Sequence, residues 1–218
     1  MLTFEWGGEP LALLPQRAVL LARHDTLVVA DAHLGKAASF RRLGVAVPRG
    51  TTSETLAQLG GLVERHGARR VIFLGDFLHS AHAQNAASTQ AALARWRRAH
   101  RGLELTLVRG NHDERAGDPP PALAIDAVDE PLEIGTLALR HHPEAPPGRH
   151  VLAGHWHPCV HVGGRAHERL RLPCFWFSGR AGVLPAFGAF TGMHPIRRGP
   201  GDRVFAVADA QVRELPEI

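Results

Sequence analysis

The chain has 218 residues, 44 % of them hydrophobic, and a formal net charge of +4, values ordinary for one well-filled globular domain. No apolar run approaches the ~18 residues of a membrane span, and the N-terminal MLTFEWGGEP lacks the positive start and apolar core of a signal peptide. Two cysteines outside any C-x-x-C pair, Cys159 and Cys174, give no disulfide framework and fit a reducing cytoplasm. Of the 25 basic residues only Lys36 is lysine; a GC-rich genome produces such an arginine bias by itself, so the positive balance permits a nucleic-acid partner without requiring one.

In chain order, LALLP (Leu11 to Pro15) and AVLLA (Ala18 to Ala22) read as two short strands that start a sheet edge. LVVADAH (Leu27 to His33) is the first apolar run that ends in polar residues. Thr51 to His66 carries Leu56, Leu59, Leu62 and Val63 at helical spacing, with Thr51 and Glu54 as a capping box and Gly67 as the stop. VIFLGD (Val71 to Asp76) is the second run, Asn85 to His100 a second helix with Ala91, Leu93, Ala94 and Trp96 on its apolar side, and LTLVRGNHD (Leu105 to Asp113) the third run. Strand and helix alternate here, which argues for parallel βαβ units. From Ala124 onward only short strands punctuated by Gly and Pro remain, among them LALRHH (Leu137 to His142) and VLAGHWH (Val151 to His157), a connection at Gly163/Gly164, and a terminal hairpin over Arg203 to Leu215 turned at Asp209/Ala210. Phe175 and Phe177 alternate as a core strand would. The expected fold is an α/β sandwich of two packed mixed β-sheets flanked by helices, in a single domain spanning residues 1–218.

Five apolar runs ending in Asp, Asn or His would deliver their tips to one place, since ligands in α/β sheets sit beyond the carboxyl ends of the strands. Those tips are Asp31, His33, Asp76, Asn111, His141 or His142, His155 and His157. They offer oxygen and imidazole nitrogen and no sulfur, a donor set for Mn²⁺ first, or Fe or Zn²⁺. Seven donors exceed one tetrahedral ion, so two divalent ions sharing the Asp76 carboxylate, with a hydroxide between them, are the natural arithmetic. Four positive charges against Asp31, Asp76 and hydroxide leave the site positive, fit for a phosphate ester. Singly the motifs are weak: D-x-H and G-D are commonest as strand ends and turns, G-N-H-D can be an Asx turn, and G-H-x-H puts two imidazoles on one side of an extended chain by chance often enough. Their joint order, each after an apolar run, is what carries weight.

In that order D-x-H, G-D, G-N-H-D, a single His and G-H-x-H resemble the calcineurin-like metallophosphoesterase superfamily. DAHLGKAASFRRLGVAVPRGTT (Asp31 to Thr52), GNHD, RHHP and GHWHPCV are similar more narrowly to the ligase-associated DNA damage response endonucleases of the PdeM family. The resemblance implies that Asp31, His33 and His157 hold one ion, Asn111, His141 and His155 the other, and that Asp76 bridges. It implies a catalytic His112 that stabilises phosphoryl charge or protonates the leaving oxygen, with Asp113 orienting its imidazole. After G-D this chain has Phe77, Leu78 and His79 where the family carries another polar residue, which puts the support of Asp76 in question. His141 is preferred to His142, because strand alternation sends the two to opposite faces and His141 shares that of Leu137 and Leu139. The other histidines are expected in loops or on the surface, with His79 the first exception.

For the substrate, Lys36, Phe40, Arg41, Arg42 and Arg49 follow the first motif in what reads as one loop, a set that could grip a phosphate backbone and stack a base. The expected function is a dinuclear-metal phosphodiesterase, a DNA endonuclease of repair acting on single-stranded or end-containing DNA. A small-molecule phosphodiesterase and a non-catalytic scaffold are the alternatives. Functional neighbours implied by the resemblance are a helicase, a nuclease and an ATP-dependent ligase; a homo-oligomer is the default.

Overall fold

Residues 1–48, 50–163 and 169–218 are described by the computed structural model; the expectations for Arg49 and Gly164 fall outside them. The first sheet holds β1 (Leu2–Trp6), β2 (Glu9–Leu14), β3 (Ala18–Leu21), β4 (Thr26–Ala30), β5 (Arg70–Leu74), β6 (Glu104–Val108) and β7 (Asp126–Val128), in that spatial order. β1 to β4 form an antiparallel meander, and β4 to β7 run parallel. The edge strand is therefore β1, not the Leu11 segment.

The second sheet has nine strands. β8 (Leu132–Ile134), β9 (Leu137–Leu139), β10 (His150–Ala153), β11 (Pro158–Gly163), β12 (Arg169–Ser178), β13 (Ala181–Val183) and β14 (His194–Pro195) lie in the order β14-β11-β12-β13-β10-β9-β8. β15 (Arg203–Ala208) pairs with β12, and β16 (Gln211–Glu214) closes the hairpin through Asp209 and Ala210, both at positive φ.

The helices are α1 (Lys36–Arg42), α2 (Thr51–His66), α3 (Ala81–Asn85), α4 (Ala87–Ala99) and α5 (Asn111–Ala116). Three differ from expectation. The segment after the first motif is helical in α1 rather than a loop. The second helix is split at Ala86, and its buried face is Thr89, Ala92, Leu93 and Trp96 while Ala91 and Ala94 are exposed. GNHD opens α5 rather than standing as an isolated turn. The Thr51/Glu54 capping box is absent too: Gly50, at φ 91°, is the N-cap, and the threonine that is engaged is Thr52, whose Oγ1 accepts the Gly35 N–H at 3.1 Å.

Why the central strands read as unbroken apolar runs follows from burial on both faces. Along β4, Leu27 and Val29 point to a core shared with Leu59 and Leu62 of α2 and Leu93 and Trp96 of α4. Val28 and Ala30 point the other way, to a core shared with Leu139, Leu152, Phe175, Phe177 and Phe205 of the second sheet. The outer face of the second sheet has two small clusters, Val160, Cys174, Val204 and Ala206 in one and Ala138, Val151 and Ala153 in the other, with no helical residue in either among the described residues. The layers thus run helix, sheet, sheet. This is the expected sandwich of two mixed sheets flanked by helices, the described helices lying against the first sheet, and Cys159 and Cys174 are both free and buried.

Between the sheets Phe177 is edge-on to Phe4 (centroids 4.7 Å apart), Trp6 (4.9 Å) and Phe205 (5.7 Å). Phe177→Ala should cost about 3–5 kcal/mol, read as a lower urea midpoint at unchanged slope. A loss below about 1 kcal/mol would place the main core elsewhere.

Candidate metal centre

The parallel pairing sets the strand ends level, with Ala30 opposite Leu74 and Leu74 opposite Val108. Across the sandwich, Leu139 lies level with Leu152. Beyond each end the backbone turns sharply. Asp31 (φ 53°), His33 (42°), Asp76 (51°), His155 (72°) and His157 (48°) all occupy the left-handed region that residues with a Cβ disfavour. His155 and His157 are therefore not two rings on one side of an extended chain. The Trp156 N–H donates to the Gly154 carbonyl at 2.9 Å, and the two imidazoles part to different neighbours.

Asp31 is fully buried and accepts the His155 N–H at 2.9 and 3.2 Å. Its Oδ1 lies 3.5 Å from His157 Nε2, which is 3.3 Å from His33 Nε2; His33 Nε2 is 3.5 Å from Asp76 Oδ2. On the other side His141 Nε2 lies 3.0 Å from Asn111 Oδ1, 3.0 Å from His155 Nδ1 and 3.6 Å from Asp76 Oδ1. Asp76 thus faces both groups. Close enough to share an ion are Asp31 with His33 and His157, Asp31 with Asp76 and His141, His141 with His142 and His155, and His33 with His79 and His112.

Tautomers test whether this donor set fits a cation. His141 Nδ1 lies 3.1 Å from the Leu74 carbonyl and His157 Nδ1 3.1 Å from the Gly192 carbonyl. A carbonyl only accepts, so each Nδ1 carries a proton and, in the neutral ring, each Nε2 presents a lone pair; for His157 the Asp31 carboxylate favours a second proton against the cost of burial, so there a cation or that proton must face Asp31. Those lone pairs face the carboxylate and amide oxygens of Asp31, Asp76 and Asn111. Acceptors converging on acceptors in a buried site are repulsive unless a cation lies between them, and a ring N–H held by a backbone carbonyl is the usual outer support of a metal-bound imidazole. Burial above all, reinforced by His157 and Lys36, pushes His33 down to about 2, which keeps its imidazole neutral. The residues fit divalent ions.

The glycines of three motifs are explained by close approach. A Cβ on Gly75 would stand 2.1 Å from His141 Nδ1, one on Gly110 2.7 Å from Asp76 Oδ1, and one on Gly154 2.7 Å from Asp31 Oδ2.

Asp113 does not orient His112. Its Oδ2 accepts the N–H groups of Asp76 (2.7 Å) and Gly110 (2.9 Å), and its Oδ1 that of Phe77 (3.0 Å). Burial, with the Asp76 charge, pushes its carboxyl up to about 6 against the pull of these donors. The support of Asp76 comes from this clamp and from the His112 N–H, which donates to Asp76 Oδ1 at 3.0 Å, so the missing polar residue after G-D has a replacement. His112 is held instead by its Nδ1–H on the His79 carbonyl at 2.8 Å, with the two rings stacked 5.2 Å apart.

The alternation argument for His141 does not apply, because β9 ends at Leu139 and the two rings sit 4.8 Å apart. What separates them is position: His141 is fully buried among the donors, while His142 is half-buried, with Nδ1 3.1 Å from Glu130 Oε1. Glu130, which sequence reasoning missed, also accepts the N–H groups of His141 (2.8 Å) and His142 (3.0 Å) and pairs with Arg140 at 3.0 Å. An acid before a proline at a strand end carries no pattern that would have found it.

The substrate set divides along α1. Lys36 and Phe40, one turn apart, face the site: the Lys36 charge senses Asp76, and the Phe40 ring lies 6.2 Å from His79. Arg41 and Arg42 are turned elsewhere, Arg41 donating to the Pro48 carbonyl at 3.0 Å and Arg42 meeting His82 Nδ1 at 2.9 Å.

Two packed mixed sheets whose strand ends gather Asp, Asn and His donors at one buried point define a metallophosphoesterase, and the chain belongs to that family. Among solved structures it is similar to the Pseudomonas putida nuclease MPE, at 40% identity and a TM-score of 0.86 over 98% of this chain and 99% of that one. A remoter likeness, to the E. coli phosphoesterase Yfce, has 14% identity and a TM-score of 0.42 over 87% of this chain and 97% of that one, too low to carry weight. No protein-family model and no curated protein sequence matches the chain. No described helix is long and apolar enough to cross a membrane.

Asp113→Ala should strand three N–H donors at once, each costing ~1–3 kcal/mol when buried and unpaired, and release the Asp76 turn. Metal content measured by emission spectroscopy should fall below that of the wild-type protein, together with the thermal midpoint. Wild-type metal content and stability in this variant would show that the clamp is dispensable.

Proposed function

We propose that the chain is a divalent-metal-dependent phosphodiesterase that cuts DNA, with single-stranded or end-containing strands as its substrate. The observation that carries this is the meeting of acceptors from Asp31, Asp76, Asn111, His141 and His157, beside a rim that offers Lys36 and His112. Asp31, His33 and His157 would hold one ion, Asn111, His141 and His155 the other, and Asp76 both. Two ions of Mn²⁺, or of Fe or Zn²⁺, would supply Lewis-acid charge to phosphate oxygens and lower the pKa of water for attack.

The chain's own contribution is positioning and proton transfer. Because the His112 Nδ1–H is fixed on the His79 carbonyl, Nε2 is the ring atom left free, and it is from there that the imidazolium form would give a proton to the departing oxygen. The Lys36 ammonium, half-buried on α1, adds positive charge on the phosphate side. Similarity to a nuclease over nearly the whole chain supports a nucleic-acid substrate over a small diester. A place in repair beside a helicase, a nuclease and an ATP-dependent ligase, in the cytoplasm, belongs to the same proposal and rests on the resemblance of the Asp31 to Thr52, GNHD and GHWHPCV segments.

Purified protein with Mn²⁺ should cleave single-stranded DNA and hydrolyse bis(p-nitrophenyl) phosphate, and Asp76→Ala should abolish both. His112→Ala should lose DNA cleavage by about 10²–10⁴ yet keep most of the chromogenic activity, because nitrophenolate departs without a proton. Activity on neither substrate, or the same activity in Asp76→Ala, would overturn the enzyme reading; equal losses on both substrates in His112→Ala would remove its role as proton donor.

A further inference from the structure

An aromatic shelf begins at the metal centre and leads away from it. Trp156 stands between His155 and His157 in the chain and is 42% exposed, the one aromatic among the exposed large hydrophobic residues described. Its ring centroid lies 5.5 Å from that of Trp176, with the planes 33° apart. Trp176 belongs to the outward side of β12, opposite Phe175 and Phe177, on the sheet face that carries no helix. Its indole N–H donates to Asp202 Oδ2 at 2.8 Å, which fixes the ring and satisfies its one polar group.

Two open grooves meet at this pair. One, of about 370 Å³, runs along His155, Trp156 and His157. The other, of about 270 Å³, is lined by Trp156, Trp176, His194, Ile196 and Arg197. Trp156 and His194 belong to both, so the second groove continues the site. Their shared wall is tied to the centre, since the His194 N–H donates to the His157 carbonyl at 2.9 Å. At 270 Å³ the second groove is smaller than the ~300–1,000 Å³ of pockets that enclose drug-sized ligands. An apolar aromatic lining with exposed Arg197 beside it suits one planar ring flanked by an anion.

The geometry points to a base-stacking subsite: a nucleobase of a single strand, next to the phosphodiester in the metal centre, lies on the exposed ring of Trp156, which Trp176 buttresses, with its outer phosphate toward Arg197. This inference rests on the nucleic-acid reading above and deepens it. Continuity with the centre and the Arg197 charge favour a strand over a protein partner, and every base has a face to stack, so the subsite grips without reading sequence. It also favours single strands and strand ends, because bases inside a duplex have both faces covered by their stacked neighbours.

The test compares a single-stranded oligonucleotide with an abasic strand of the same length and charge, at one salt concentration and with Ca²⁺ in place of Mn²⁺. Wild-type protein should bind the base-bearing strand about tenfold more tightly or better, the scale of base–aromatic stacking. Trp156→Ala, checked for wild-type metal content, should bind both strands alike, while Trp156→Phe should keep part of the preference. Because Trp156 stands between two histidines of the centre, tryptophan fluorescence gives a readout independent of the alanine variant: the base-bearing strand should quench wild-type emission, the abasic strand should not, and Trp156→Phe should lose the difference. Equal binding of both strands by wild-type protein, with no differential quenching, would overturn the subsite and leave the nucleic-acid reading standing. Binding of neither strand would overturn both. A dimer that buries Trp156 and shows no base preference would assign the shelf to a second copy instead.

Discussion

Lone pairs that face one another in a buried place are the constraint on which the rest of this structure depends. His141 and His157 spend their ring protons on backbone carbonyls, and their bare nitrogens meet the oxygens of Asp31, Asp76 and Asn111. Holding such atoms together opposes ordinary folding forces, so the backbone around them is tied with more than the usual care. The loops after β4 and β5 are zipped by the His33 N–H on the Asp76 carbonyl and the Leu34 N–H on the Phe77 carbonyl. The Asp113 carboxylate joins the turn at Asp76 to the turn at Gly110. Glu130 does the same work for the segment that presents His141. Five donor residues in the left-handed region are the strain that these ties sustain.

Much of this was legible in the sequence because it follows from short-range rules. Apolar runs that end in a donor, three of them through a glycine, mark strand ends, and five of them in one chain gave both the sandwich and the residues that the structure gathers; α2 was readable from its leucine spacing and Gly67. The features that stayed hidden depend on partners far along the chain. Asp113 looked like the neighbour of His112, but a carboxylate one residue along a helix points away from it, and its donors lie 37 residues upstream at Asp76 and at the helix start. Glu130 answers to His141, and nothing local marks it. The rings of His155 and His157 were assigned to one side by strand alternation, a rule that lapses where φ turns positive. α1 went unread because its only buried residue is Ala37, so no apolar stripe announces it.

The layering connects this centre to what reaches it. Covering the first sheet with α2 and α4 buries that side, while the second sheet has an outer face on which two small clusters are sheltered, neither of them by a described helix. Because the donors come from the strand ends of both sheets, the centre opens at the rim of the sandwich, between a covered layer and a bare one. On the covered side stand Lys36, Phe40, His79 and His112; on the bare side stand Trp156, Trp176 and Arg197. Cationic and aromatic groups therefore flank the centre on both sides. Charge carries the same asymmetry inward: Asp31 and Asp76 supply two negative charges at the donors, His33 stays neutral, and the Asp113 charge is absorbed by three N–H groups. Two divalent ions would exceed those two carboxylates, leaving a positive centre in a low-dielectric wall, where attraction for a phosphate is stronger than at an exposed surface. A polyanion that also carries flat apolar rings matches both kinds of surface at once, and a strand with its bases unpaired presents both to the same rim.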